Sequence, residues 1–439
     1  MTKKQLTPTK APQEKAFLVG IEIYQKSQLL PTKDSLEELA LLADTAGLKV
    51  IGSTFQKITS PNPATLIGLG KADEIRTNAV EQQADIVIFD DELSPRHIRE
   101  LEKIFSNKIR VIDRTVLILD IFAQHAQTSE GKLQVELAQY EYLYPRLTRA
   151  WTHLARQTGG AAGRTGNAGG VGLRGPGETQ LEVDRRRIRK KIDTLNDEIE
   201  KVRAHRERSR ANRKKTNIPV IALVGYTNSG KSTLLNYLTQ AEVIVADKLF
   251  ATLDPTTRRL TLPNGNNALI TDTVGFIQKL PAQLVAAFRA TLEEITEADL
   301  LLHIVDISSP IALQQWQSVN QTLKQINAYE IPIVTTLNKI DKFDNLSSSE
   351  NILHEFKDAI PISALEGTGV ETLINKLDEE LFNTYIPVTV KIPYQHGNLI
   401  SIFHHNGRVN SIQYGNKEVR IKGSIPNRFA RDFSSFIVK

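Results

Sequence analysis

The chain has 439 residues, 24% charged and 40% hydrophobic, with a net charge of +5 and no cysteine. Its length calls for about two to four domains, its composition excludes a wholly disordered chain, and the lack of cysteine excludes disulfides, cysteine zinc sites and cysteine-ligated iron–sulfur clusters. No apolar run approaches the ~20 residues that span a bilayer, and the opening MTKKQLTPTKAPQEK lacks the apolar core of a signal peptide, so residues 1–15 are expected to form a flexible tail and the protein to be cytoplasmic.

Residues 16–130 alternate short apolar runs (AFLVGIEIY, LKVIGSTFQ, DIVIFDDEL, RVIDR) with helical patterns (SLEELALLADTAG, KADEIRTNAVEQQ, SPRHIRELEKIF, TVLILDIFAQHA). Strict alternation predicts an N-terminal α/β domain with a parallel sheet and crossover helices. Gly68, Gly70 and Lys71 in IGLGKADEI resemble a phosphate loop only faintly and read better as a strand-to-helix turn. Asp90 and Asp91 close a strand, where ligands often gather, but with Ser94 as a helix cap they read better as loop carboxylates.

Residues 131–216 carry two heptad patterns. Leu133, Leu137, Tyr140, Tyr144, Leu147, Trp151 and Leu154 form one; Leu181, Ile188, Ile192, Leu195, Ile199 and Val202 form the other. The expected structure is an antiparallel helical hairpin with a glycine-rich loop, residues 157–177, at or near its tip; Pro145 predicts a kink or break in the first arm. Nine glycines fall between Gly159 and Gly177, and from Arg146 to Gly177 there are five arginines and no acidic residue. From Asp184 to Lys215, 14 Lys/Arg face 6 Asp/Glu, a local excess of +8. Backbone amides freed of side chains, together with clustered cations, point to structured RNA. Arg156, Arg164, Arg174, Arg185, Arg186 and Arg187 are the candidate contacts, and a disordered crossover or a solvated helix face is the alternative.

Residues 217–381 read as a nucleotide-binding domain. The strand IPVIALV runs into Gly225, Tyr226, Thr227, Asn228, Ser229, Gly230, Lys231 and Ser232, followed by Thr233 and an amphipathic helix; this is a complete GxxxxGK[ST] loop in its strand–loop–helix setting. Its amides wrap phosphates, Lys231 neutralises them, and Ser232 is placed to hold Mg²⁺. The strand NALITDTVGF supplies Asp272, suited to Mg²⁺ through water, and Gly275, whose amide meets the γ-phosphate. PIVTTLNKID supplies Asn338, Lys339 and Asp341, and ISAL supplies Ser363 and Ala364. The Asp341 carboxylate accepts from guanine N1–H and N2–H₂, which selects GTP over ATP.

The order of these motifs resembles the GTPase domain of the translation-factor class, which implies a GTP/GDP switch with two mobile loops. In DKLFATLDPTTRR, Thr252 matches the residue that closes on Mg²⁺ and γ-phosphate, with Thr256 and Thr257 as alternatives. Where many such GTPases place a glutamine that orients the attacking water, this chain has Phe276, so hydrolysis is expected to be slow without a partner. Asn228 matches an asparagine that accompanies a bound K⁺ in some related GTPases. Nearly the whole chain is similar to the HflX-type ribosome-associated GTPases, above all in GGVGLRGPGETQLEVDRRRIR and LFATLDPTTRRLTLPNG. That resemblance implies binding to the large ribosomal subunit and its rRNA, splitting of stalled or idle ribosomes, and stimulation of hydrolysis by the ribosome; some members are credited with ATP binding by the N-terminal domain. Subunit maturation, or a signalling switch with a protein effector, are the alternatives, and a monomer is expected.

Residues 382–439 predict a small α+β C-terminal domain with strand, helix, two strands joined at a Gly-Asn turn and a short helix. His404 and His405 read as a helix end rather than a metal site.

Overall fold

The computed structural model describes residues 13–24, 31–105, 108–146, 180–216, 218–239, 249–250, 254–279, 289–343, 355–356, 358–383 and 385–438. The chain falls into two compact units, the first reaching Ala204 and the second beginning at His205.

The first unit is built on a four-stranded, wholly parallel sheet of order β2-β1-β3-β4, made of β1 (Lys15–Ile23), β2 (Lys49–Ile58), β3 (Ile86–Phe89) and β4 (Arg110–Asp113). Helices α1 (Thr32–Thr45), α2 (Leu69–Glu81), α3 (Pro95–Ile104) and α4 (Arg114–His125) connect and flank it. Phe17, Val19, Val87, Phe89 and Val111 pack with Ile75, Ala79, Ile98 and Leu101 in one core, as a sheet covered by crossover helices requires. Gly68 is the N-cap residue of α2 and Lys71 turns its ammonium onto Glu74 at 2.6 Å, so the faint glycine motif opens a helix. Ser94 caps α3 in a capping box with His97. Asp90 is buried, accepting from Arg114 Nη1 (2.7 Å) and from Ser35 Oγ (2.7 Å), while Arg114 also pairs with Glu38. A buried guanidinium shared among these oxygens is a structural tie.

Helix α5 (Ser129–Leu143) ends in a 3-10 turn, Tyr144–Arg146, so Pro145 marks the expected break. Its buried stripe is Gln134, Val135, Leu137, Ala138 and Tyr142, offset from the heptad seam, in which only Leu137 is shared. The reason is tertiary: the Tyr142 hydroxyl donates to Asp113, and Arg146 donates to Glu92 at 2.6 Å and to the Leu93 carbonyl at 3.1 Å. Thus α5 is fastened to the sheet domain, and Arg146, only 6% exposed, is withdrawn from the group of cations read as facing RNA. Helix α6 (Gln180–Thr216) keeps its seam, with Ile188, Ile192, Ile199 and Val202 half-buried and Leu195 buried. Lys191 pairs with Glu136 of α5 at 3.1 Å, and Arg189 lies 5.7 Å from the Tyr144 ring centre. The glycine-rich loop lies outside the described residues.

The second unit carries a six-stranded sheet of order β10-β9-β8-β5-β7-β6, from β5 (Val220–Gly225), β6 (Thr256–Thr261), β7 (Asn267–Asp272), β8 (Leu300–Asp306), β9 (Ile333–Asn338) and β10 (Ile360–Pro361). All pairs are parallel except β6 with β7. Helices α7 (Lys231–Thr239), α8 (Arg289–Thr296), α9 (Ala312–Gln325) and α10 (Val370–Asp378) accompany it. Strand order reverses at β5, so the carboxyl end of β5 opens at the switch point where α/β sheets bind ligands. The unit continues into a three-stranded antiparallel sheet, order β11-β13-β12, of β11 (Tyr385–Pro393), β12 (Arg408–Tyr414) and β13 (Glu418–Pro426), with α11 (Gly397–Asn406) and α12 (Ala430–Phe433).

Candidate nucleotide site

The ends of β5, β7, β8, β9 and β10 build the site. At the end of β5 the loop 225–232 turns sharply: Gly225 has φ +156° and Gly230 φ +95°. A Cβ on Gly225 would lie 2.4 Å from the Ile304 carbonyl oxygen, and one on Gly230 would lie 2.2 Å from Asn338 Nδ2. Side chains are excluded at both positions because neighbouring strand ends come that close. Asn228 also takes a left-handed φ of +60° at the exposed tip. Lys231 and Ser232 open α7, so the loop amides and the helix N-terminus face one concavity.

Lys231 is buried and donates to the carbonyls of Gly225 (3.2 Å) and Tyr226 (2.8 Å). Burial pushes its ammonium down to about 8, against the opposing pull of Asp272. Ser232 Oγ donates to Asp272 Oδ2 at 2.6 Å, with Asp272 fully buried at the end of β7. His303 of β8 is buried, and that burial, with Lys231 next, lowers it to about 3. It stays neutral, so Lys231 is the charge offered to an anion there. Thr227 and Ser229 are buried in the loop; Thr233 is half-buried in the first turn of α7.

Asn338, at the end of β9, works as a hub: its Nδ2 donates to the Ser229 carbonyl (2.8 Å) and its Oδ1 accepts from Ala364 N (2.9 Å). Lys339, at φ +69°, returns to the Asn228 carbonyl at 2.8 Å and pairs with Asp306 at 2.7 Å. Ser363 Oγ donates to Asp341 Oδ1 at 2.6 Å, and Asp341 stands exposed in the 3-10 turn Ile340–Lys342. Motifs separated by more than 100 residues therefore meet at one rim. Sequence reasoning missed Asp306; its signal was a carboxylate closing a parallel strand, LLLHIVD.

Gly275 lies against the loop, where an added Cβ would be 2.9 Å from Thr227 Cα and 3.0 Å from Lys231 Nζ. Phe276 is buried: Thr227 N donates to its carbonyl (2.8 Å), and its own amide donates to Gly225 O (3.1 Å). Gln278 N donates to Tyr226 Oη at 2.9 Å. The Phe276 ring is thus core, a fact the sequence left open. Phe276→Gln is expected to destabilise the protein by about 3 kcal/mol, by losing ring burial and burying an amide, without raising the basal hydrolysis rate. Thermal unfolding and phosphate release measure both; a faster variant would show that position 276 can reach the attacking water.

Thr252 and the arginines Arg156, Arg164 and Arg174 lie outside the described residues; Thr256 and Thr257 begin β6, and Thr257 Oγ1 meets Thr271 Oγ1 at 2.9 Å. Arg185, Arg186 and Arg187 are exposed on α6. No group of three or more metal-ligating side chains of the His/Cys/Asp/Glu type occurs among the described residues, and none of their helices is long and apolar enough to cross a membrane.

A phosphate loop at a sheet's switch point, a Ser–Asp pair beneath it and an Asn-Lys-x-Asp rim define a P-loop GTPase. Residues 33–123 match the family "GTP-binding GTPase N-terminal", 125–213 the "GTP-binding GTPase Middle Region", and 220–339 the "50S ribosome-binding GTPase". GTPase HflX of Caldanaerobacter subterraneus subsp. tengcongensis is 43% identical over 97% of this chain and 94% of its own; GTPase HflX of Escherichia coli is 43% identical over 89% and 88%. The chain belongs to the HflX GTPase family, and it is a GTP hydrolase. A crystal structure of a GTP-binding protein from Sulfolobus solfataricus in complex with GDP is 27% identical, covering 83% of this chain and 98% of that one, with a TM-score of 0.42.

Proposed function

We propose that this GTPase binds the large ribosomal subunit in the cytoplasm and uses GTP binding and hydrolysis to split stalled or idle ribosomes. The observation that carries the nucleotide part is the convergence of Lys231, the Ser232–Asp272 pair and the Asn338/Asp341/Ser363 rim on one strand-end cleft. Residues Gly225–Ser232 cradle the phosphates with backbone amides, and Lys231 exchanges its two carbonyl acceptors for phosphate oxygens. Asp341, pre-set by Ser363, accepts from guanine, while Lys339 and Ala364 wall the base. Thr233 steadies the first turn behind Ser232. The Gly275 amide meets the γ-phosphate and Thr252 closes over it.

Ser232 and Asp272 present a hydroxyl and a carboxylate 2.6 Å apart, hard oxygen donors that suit Mg²⁺. Bound there, Mg²⁺ supplies charge neutralisation at the β- and γ-phosphates. Asn228, at the exposed tip, is the residue to test for K⁺ dependence. Because Phe276 is buried, orientation of the water falls to a group delivered or ordered by the partner.

The match to a family described as 50S ribosome-binding, together with the exposed Arg185, Arg186 and Arg187 of α6, supports the ribosome as that partner; Arg156, Arg164 and Arg174 complete the RNA-facing set. The test is GTP hydrolysis by the purified monomeric protein, alone and with large subunits, at two salt concentrations. Expected is a slow basal rate raised at least ~100-fold by subunits, with the stimulation lost at high salt as phosphate contacts are screened. Light scattering of assembled ribosomes then reports splitting. No stimulation would transfer the switch to a protein effector; stimulation without splitting would favour subunit maturation.

A further inference from the structure

The second concentration of positive charge in this chain lies where none of the motifs falls. From Tyr385 to Lys439 there are 8 Lys/Arg and 2 Asp/Glu, a local excess of +6 in a chain whose total is +5. The fold sorts these charges. One face of the β11-β13-β12 sheet buries Val388, Val390, Ile392, Val419 and Ile421 under Phe403 of α11 and Phe433 of α12. Period-two alternation sends Thr389, Lys391, Arg420 and Lys422 to the opposite face. Register aligns Lys391 with Arg420 and Gln413, and Thr389 with Lys422 and Ser411. Lys391, Arg408, Arg420 and Lys422 are all exposed. Glu418, the only carboxylate in the three strands, sits beside Lys391 at 3.6 Å. Arg408 reaches from β12 across the central strand to β11, its guanidinium carbon 4.4 Å from the Tyr385 ring centre.

We infer that this open sheet face is an RNA-binding surface, contacting phosphates and sugars without sequence preference. Three arguments commit it to RNA. Cations two residues apart on one strand stand about 7 Å apart, and those on paired strands about 5 Å apart, forming a two-dimensional grid of charge rather than a single point. Between them lie hydroxyls and an amide (Thr389, Ser411, Gln413, Ser424), donors suited to phosphate and 2′-hydroxyl oxygens. The face lacks the aliphatic and aromatic anchor cluster on which a stable protein interface depends; its ring, Tyr385, is half-buried and covered by the Arg408 guanidinium, which itself stays exposed.

The surface extends the ribosome reading above to a second point of contact, and its test uses a free oligonucleotide so that the two fail separately. Full-length protein carrying Lys391→Ser, Arg420→Ser and Lys422→Ser is titrated against a labelled 20-nucleotide oligouridylate between 50 and 200 mM KCl, beside wild type, an Arg185→Ser/Arg186→Ser/Arg187→Ser variant and Glu418→Gln. The sheet variant is expected to bind at least ~10-fold more weakly and to lower the log–log salt slope by about 2, the loss of three contacts to a single strand. It should do so in the α6-substituted background as well, and Glu418→Gln should tighten binding. Its basal GTP hydrolysis, expected to be unchanged, reports that the fold is intact. Unchanged affinity and slope would overturn the inference, as would wild-type preference for phosphatidylserine vesicles over the oligonucleotide. Oligonucleotide binding through this face without subunit binding would leave the inference standing and sink the ribosome reading.

Discussion

Lys231→Ala is expected to lower GTP hydrolysis at least ~100-fold, the scale on which removal of one preorganised donor acts in a buried site, and to weaken GTP binding in parallel. The ammonium sits in the fold of the loop, bonded to two of its carbonyls, with burial holding its pKa down to about 8. A buried cation without a full counter-charge is costly to the folded state, and a triphosphate supplies that counter-charge. The alanine variant is therefore expected to be no less stable than wild type when nucleotide-free, while losing its response to nucleotide. Fluorescent-nucleotide titration and phosphate release measure the loss, and thermal unfolding the stability. Hydrolysis within a few-fold of wild type would remove Lys231 from the machinery.

Asp341→Asn carries the second large effect. In the proposed reading the carboxylate offers the base two acceptor oxygens; one of them accepts from the Ser363 hydroxyl at 2.6 Å. Asparagine keeps the shape but sets an amide N–H₂ against the donors of guanine, leaving polar groups unpaired in the complex. Sites that recognise a hydrogen-bonding edge discriminate by large factors, so the preference for GTP over XTP is expected to fall at least ~100-fold. Xanthine, with a carbonyl at C2, accepts from the new amide. Competition binding with GTP and XTP reads the ratio; an unaltered ratio would show that Asp341 does not touch the base.

The phosphate loop, the Asp272–Gly275 segment and the Asn338–Asp341 rim are contiguous motifs whose spacing alone carries their chemistry, so they are legible before any fold is known. The parallel sheet of the first unit is legible for a similar reason: apolar runs and helical periods alternate locally. The heptads of helix α5 predict one inward seam, whereas the tertiary structure turns a neighbouring stripe inward. The polar ties of Tyr142 to Asp113 and of Arg146 to Glu92 span 29 and 54 residues, distances at which no periodic pattern carries information.

The GTPase class, the candidate nucleotide residues and the order of the elements can thus be read from the chain alone, because each depends on residues a few positions apart. Packing, by contrast, makes Asn338 join Ser229 to Ala364, lets Lys339 bridge Asn228 and Asp306, buries Phe276 in the core and puts Lys391, Arg420 and Lys422 on one face. Those facts follow from strand order and register, which are settled by burying apolar faces over the whole chain, and so they appear only when distant segments are packed together.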